Sequence, residues 1–304
     1  MVRISNRVMV QSALDRTTAS MIRVDKARDR ISSGRDVNRP SDDPSSASRI
    51  LSLQTELRTR DQEVRNANDG QALTELADSA LQTVVARLQR ARDLMVAGAS
   101  AQYQGTRPGM AVEIQGIRDE VISVAGTSHD GRTLFTGFAE GEAVRYNDGT
   151  DANPIGWVTD SDGGAQLRRV GPSDVVTVNV TANELFGLDN TANGTDLFTL
   201  LDDIAAAMNN EDPAAIGAHL SDIDAALESI YSAQAKLGTA GNRIEQAQRR
   251  NIDTQVAIRS ELSQIQDTDM ADAIMELQMQ EMSYEATLSA LGRSLPQSLV
   301  AFLR

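Results

Sequence analysis

Cysteine is absent from this 304-residue chain, which excludes disulfides, thiolate metal sites and cysteine nucleophiles. Aromatic residues make up only 3%, too few for a large aromatic-filled core. Apolar area must therefore come from Leu, Ile, Val, Met and Ala, which suits long helices packed side by side. No apolar run approaches the roughly 18 residues of a membrane span, so no membrane insertion is expected. Residues 1–6 open straight into a polar amphipathic pattern without an apolar stretch, so no cleavable secretory signal is expected either. The two histidines, His129 and His219, stand on separate segments without His or Cys companions, whereas metal and acid–base sites need clustered partners. Phosphate-cradling glycine loops, G-x-S-x-G and H-E-x-x-H are all missing. Asp148 with Asp151, and Asp160 with Asp162, sit in glycine-containing turns without the full ligand spacing of a calcium loop. These residues predict neither an enzyme nor a cofactor or metal site.

What is present is charge, unevenly spread. The net charge is −14, yet residues 1–40 hold nine Arg/Lys against four Asp. Residues 261–304 hold two Arg against seven Asp/Glu, and residues 141–215 are strongly acidic. An acidic middle argues against nucleic-acid binding, which needs a basic face toward phosphates. Opposite charge at the two ends would favour and orient their association.

Both ends also carry heptads. Counting by sevens from Met270 reaches Leu277, Tyr284 and Leu291; a second register holds Ile274, Glu281, Leu288 and Leu295. At the other end Val10, Thr17, Val24 and Ile31 share one register, with Leu14 and Met21 four residues after its first two members. This spacing predicts long terminal helices with a coiled-coil-like seam between them and toward other subunits. Glu281, the one charge on the seam, is expected to face Arg or Lys from the N-terminal helix or from a neighbouring subunit.

Along the chain, a first helix is predicted over residues 5–33, closed by Gly34 as a left-handed cap. The segment from Arg35 to Pro44 has two prolines among Asn, Ser and Asp, and reads as a helix-free elbow in which Asp42 and Asp43 form turns and caps. Asn66-Ala67-Asn68-Asp69-Gly70 reads as a stop or offset in the next helix, and a third helix follows Pro108-Gly109. After Gly126 the composition turns to Gly, Asp and Asn. Val176, Val178 and Val180 there alternate with polar residues, as strands do. Helical patterning resumes near Asp196, breaks at Asp212-Pro213, and continues as a stripe through Leu237 and a further helix over residues 241–265. The fold class is thus mainly α, with a small β-rich central insert. The predicted divisions are residues 1–40, 41–140, 141–195 (the insert), 196–265 and 266–304. The two helical halves are expected to pack together, the insert lying away from the termini.

Four stretches together resemble the flagellin family of bacterial flagellar axial proteins. They are the elbow (Ile31-Ser32-Ser33-Gly34 with Asn38-Arg39-Pro40-Ser41-Asp42-Asp43-Pro44), Asn66-Ala67-Asn68-Asp69-Gly70, Leu88-Gln89-Arg90-Ala91-Arg92-Asp93-Leu94, and the stretch from Asp267 to Arg304. The opening Met1-Val2-Arg3-Ile4-Ser5, Asp130-Gly131-Arg132-Thr133-Leu134-Phe135-Thr136-Gly137-Phe138, and Met275-Glu276-Leu277-Gln278 point within that family to its hook–filament junction branch. The resemblance implies a structural polymer subunit that joins hook-associated protein 1 to flagellin. It also implies delivery through the flagellar type III export apparatus with an export chaperone, and an extracellular location on the flagellum. A short flagellin that forms the filament itself, or a coiled-coil regulatory module, are the alternatives. Arg90 and Arg92 read as an exposed or subunit-facing charged helix face.

Overall fold

In the computed structural model, residues 2–149, 155–188 and 196–294 are described. The helices are α1 (Val2–Ser33), α2 (Pro44–Gly98), α3 (Arg107–Ala125), α4 (Ala182–Phe186), α5 (Leu197–Asn209), α6 (Pro213–Ala218), α7 (Leu220–Gln266) and α8 (Met270–Ser294). Between α3 and α4 lie three antiparallel hairpins: β1 (Ser128–His129) with β2 (Arg132–Thr133), β3 (Arg145–Asn147) with β4 (Gly156–Val158), and β5 (Leu167–Arg169) with β6 (Val175–Thr177). The chain divides into a terminal unit, drawn from residues up to Thr59 and from Thr254 onward, and a central unit, Arg60–Asp253. α2 and α7 each supply residues to both. Position 40/41 lies in the elbow between α1 and α2 and position 265/266 at the end of α7, while the two units divide within α2 and α7. Residues 141–195 belong to the central unit together with its helices.

Local chemistry sets the ends of the elements. α1 stops where Gly34 takes φ +67, a conformation that a Cβ disfavours, and its N–H donates to the Arg30 carbonyl at 2.9 Å. α2 starts at Asp43, whose Oδ1 accepts from the backbone N–H of Ser45 (3.0 Å) and Ser46 (3.2 Å). Asp196 and Asp212 cap α5 and α6 in the same way. Hydrogen bonds from the orphan first-turn donors stabilise each of these starts. The Asp130-Gly131 turn, with φ of 50 and 78, is the two-residue connection that a tight hairpin requires.

Two helix breaks expected from the sequence do not occur. α2 runs through Asn66-Ala67-Asn68-Asp69-Gly70, and α7 runs through Gly238 and Gly241. Poor helix formers cost about 0.5–1 kcal/mol apiece, and in α2 tertiary contacts answer that cost. Asn66 Nδ2 donates to the Arg169 carbonyl (2.9 Å), Asp69 pairs with Arg168 (2.6 Å), and Asn68 Oδ1 accepts from Gln248 (2.7 Å). At Gly70 a Cβ would sit 3.1 Å from Val178 Cγ1 and 3.3 Å from Ile244 Cδ1. The absent side chain is what lets Val178, just after β6, and α7 close on α2. In α7 the buried positions Ile230, Ala233, Leu237, Ala240, Ile244 and Ala247 continue the stripe at helical spacing without interruption.

The central core joins Leu81, Leu88 and Met95 of α2 to Ile114 and Val121 of α3, Phe198, Leu201 and Ile204 of α5, and Ile223 and Ile230 of α7. Trp157 of β4 closes one side of it. Its ring meets Tyr146 edge-on at 5.2 Å and Phe198 at 5.5 Å, and Nε1 donates to Asp202 at 2.9 Å. The alternation of Val176, Val178 and Val180 is realised, with all three buried.

Candidate assembly interface

Within the terminal unit α1 packs on α8. Their seam is narrower than the two heptads predicted. On α1 it uses Thr17, Val24 and Ile31, with Ala13, Ser20 and Ala27 between them; on α8 it uses Ala273, Leu277, Gln280, Tyr284 and Leu291. Val24, Ala27, Ser20 and Ala273 are buried and the others half-buried. Ala13, Ser20 and Ala27 form a heptad of their own. Small side chains at that spacing let two helices approach closely, and a search for large apolar residues passes over them although the signal is in the sequence.

Other predicted seam residues turn away from this pair. Leu14 is 49% exposed, Met21 53%, and Ile274 and Leu288 44% each, while Met270, the first residue of α8 in the register that faces α1, is 45% exposed. The reason is helical geometry: an ideal helix advances 100° per residue, so two heptad registers span a stripe wider than one partner covers. α1 faces the Leu277–Tyr284–Leu291 register and leaves Ile274 and Leu288 on its flank. The predicted residues thus divide between one α1–α8 seam and one exposed apolar flank. Val10 lies in α1 with its side chain outside those described, and Leu295 lies outside the described residues.

Polar pairs border the seam. Arg28 donates to Glu281 at 2.7 Å, Arg30 Nη1 to Glu276 at 2.6 Å, and Arg23 Nε to Gln280 at 3.2 Å. Glu281 thus finds its cation on α1. Arg30 also donates to Asp36 through Nη2 (2.7 Å) and Nε (3.0 Å), and this bond to Asp36 raises the Arg30 pKa above its ordinary value. Burial opposes ionisation of Asp36, but bonds from Thr268 and Arg30 outweigh it and hold the carboxylate below its usual range. The two elbows are tied in antiparallel fashion: Asp36 N–H donates to the Gln266 carbonyl (2.8 Å) and Thr268 N–H to the Gly34 carbonyl (3.1 Å).

A cleft of about 250 Å³ between α1, the elbow and α8 is lined by alternating signs, and its charges are taken up internally, as in Lys26–Asp42 at 3.2 Å and Arg39–Asp29 at 3.7 Å. Among the described residues no cluster of His, Cys, Asp or Glu could hold a metal ion, and no helix is long and apolar enough to cross a membrane. Asp160 and Asp162 serve as turn acceptors, for Glu142 N–H and for the N–H groups of Phe138 and Gly164. Arg90 pairs with Glu113 of α3 at 2.7 Å and Arg92 with Asp224 of α7 at 2.6 Å, both on the surface.

Comparison with known proteins matches both ends. The model of the bacterial flagellin N-terminal helical region covers residues 4–140, and that of the C-terminal helical region covers residues 220–303. The chain is 25% identical to flagellar hook-associated protein 3 of Escherichia coli K12, over 95% of each chain. It is 27% identical to flagellin of Bacillus subtilis 168, over 99% of this chain and all of that one. The crystal structure of flagellar hook-associated protein 3 from Legionella pneumophila shares the fold, with a TM-score of 0.62 at 16% identity over 71% of this chain and 98% of that one. With family regions matched at both ends across nearly three quarters of its length, the chain belongs to the bacterial flagellin family of structural flagellar proteins.

Proposed function

We propose that this chain is a non-enzymatic structural adaptor of the bacterial flagellum, polymerising at the hook–filament junction and joining hook-associated protein 1 to the flagellin filament. The observation that carries the reading is the uncovered apolar flank of the terminal unit: Leu14, Met21 and Ile22 on α1, and Ile274 and Leu288 on α8, lie outside the one seam the unit makes. Apolar surface of this kind is stabilised by removal from water, and neighbouring copies supply that cover in a polymer. End-to-end similarity to a hook-associated protein 3 supports the junction as the place. Delivery by the flagellar type III export apparatus, with an export chaperone, and an extracellular position follow from the same reading.

Isolated amphipathic helices are marginal in water, so the terminal helices gain their full order on assembly, and folding is coupled to polymerisation. Protection of residues 1–35 and 270–304 from proteolysis in the unassembled chain would contradict that coupling. The decisive experiment is a deletion strain. Normal hooks, with flagellin shed into the medium and filaments restored by this chain, are expected. Normal filaments in the deletion strain would refute the junction role. The comparable similarity to the B. subtilis flagellin favours one second reading, a short filament-forming flagellin; long filaments grown from the purified chain alone would establish it.

A further inference from the structure

Four of the ten methionines fall close together in α8: Met270, Met275, Met279 and Met282. The last three stand at positions i, i+4 and i+7, and so share one face of the helix. By the 100° advance per residue that face is roughly opposite the one applied to α1. Their exposures are 54%, 59% and 62%, whereas Met95 and Met208 in the central core are at 0%. The seam against α1 contains none of the three. Thioether sulfur is open to oxidation wherever it is accessible, and the product is polar where the original side chain was apolar and pliable.

We propose that Met275, Met279 and Met282 form a peroxide-sensitive modification site, and that their oxidation prevents the chain from entering a polymer. The inference rests on the assembly role proposed above. In the reaction a methionine Sδ lone pair attacks one oxygen of hydrogen peroxide. An S–O bond forms, the O–O bond breaks, and the proton on the attacked oxygen passes to the departing hydroxide, which leaves as water. Sulfur is oxidised by two electrons and peroxide is reduced. Because Leu277, Tyr284 and Leu291 face α1, the modification leaves the α1–α8 seam in place and alters only the outward face. Assembly then covers the three thioethers, so that the unassembled chain is the vulnerable form and the polymer the protected one.

The test has two arms. In the first, the purified full chain is treated with hydrogen peroxide and its methionines are followed by peptide mass spectrometry. Met275, Met279 and Met282 are expected to oxidise at least about tenfold faster than Met95 and Met208; equal rates would overturn the site. In the second arm, treated and untreated chains, freed of peroxide, are added to cells of the deletion strain and recovered filaments are counted. Oxidation is expected to lower recovery by about tenfold, equivalent to ~1.4 kcal/mol of lost association. A chain carrying Met275→Leu, Met279→Leu and Met282→Leu keeps an apolar surface without the sulfur, and its own filament recovery, whatever its level, is expected to be the same with and without peroxide. Undiminished recovery by the oxidised chain, or equal peroxide sensitivity of the triple variant, would overturn the proposal. Failure of the untreated chain to restore filaments would instead defeat the assembly role and the consequence drawn from it, leaving the mass-spectrometric arm to decide the site.

Discussion

Ser20 sits at the centre of the α1–α8 seam, fully buried, and its Oγ has no hydrogen-bond partner. A buried hydroxyl without a partner costs about 1–3 kcal/mol, and Ser is also a poorer helix former than Ala. Ser20→Ala is therefore expected to stabilise the terminal unit by about 1–2 kcal/mol, read as a higher urea midpoint in far-UV circular dichroism; an unchanged midpoint would show that the hydroxyl is satisfied. Gly70 is the opposite case, a residue whose value lies in having no side chain. Gly70→Ala gains about 1 kcal/mol of helix propensity against close contacts at 3.1 and 3.3 Å, and is expected to be nearly neutral. Gly70→Val adds bulk that Val178 and Ile244 cannot accommodate, and should cost about 1–3 kcal/mol, measured by the fluorescence of the single tryptophan, Trp157. At this scale the sequence was a partial guide. The large heptad residues were visible in it. Ser20 and Gly70 were not singled out for packing, because a small residue announces nothing until its neighbours are known.

Helix α2 depends at its start on one carboxylate. Hydrogen bonds from Ser46 and Ser45 lower the Asp43 pKa from its ordinary 3.8 to about 2. A depressed carboxylate contributes stability that is fully present above its unfolded pKa, near 4, and is lost as the pH falls through the folded value. Asp43→Asn retains the capping oxygen, since Asn caps about as well as Asp, but does not titrate. The stability difference between the native chain and Asp43→Asn is expected to be constant above pH 4 and to change toward pH 2, in the direction that disfavours the native chain. Parallel thermal-melt curves across that range would exclude the linkage. The elbow and its cap were legible in Asp42-Asp43-Pro44-Ser45-Ser46, because capping is decided within a few residues. The continuity of α2 and α7 was not. Asn66 to Gly70 has the composition of a helix stop, and only contacts with Arg168, Arg169, Val178 and Gln248, far away in sequence, hold it helical.

For the molecule as a whole, the opposite charges of the two ends take shape as Arg28–Glu281 and Arg30–Glu276. Both pairs are substantially exposed, so each is worth about 0–1 kcal/mol; they orient the helices, while apolar burial supplies most of the association. The exposed flank lets contacts between subunits be altered without touching the α1–α8 seam. Ile274→Asp adds a charge at a position 44% exposed, and is expected to change the stability of the unassembled chain by no more than about 0.5 kcal/mol. In a polymer the same charge would be buried without a partner, so filament recovery by the deletion strain should fall by more than about tenfold, or ~1.4 kcal/mol. Unimpaired recovery would show that this flank stays in water after assembly.

The sequence by itself determined the mainly helical class, the elbow with its cap, the β-rich insert, the pairing of the two ends and the family, because periodicity, capping and turn chemistry act over a few residues and leave their pattern in the chain. Tertiary structure alone decided which heptad register faces α1, where α2 and α7 truly end, and which apolar residues remain outward. Those outcomes depend on how wide a stripe a single neighbouring helix can cover and on contacts between residues about a hundred or more positions apart, and no local pattern encodes either.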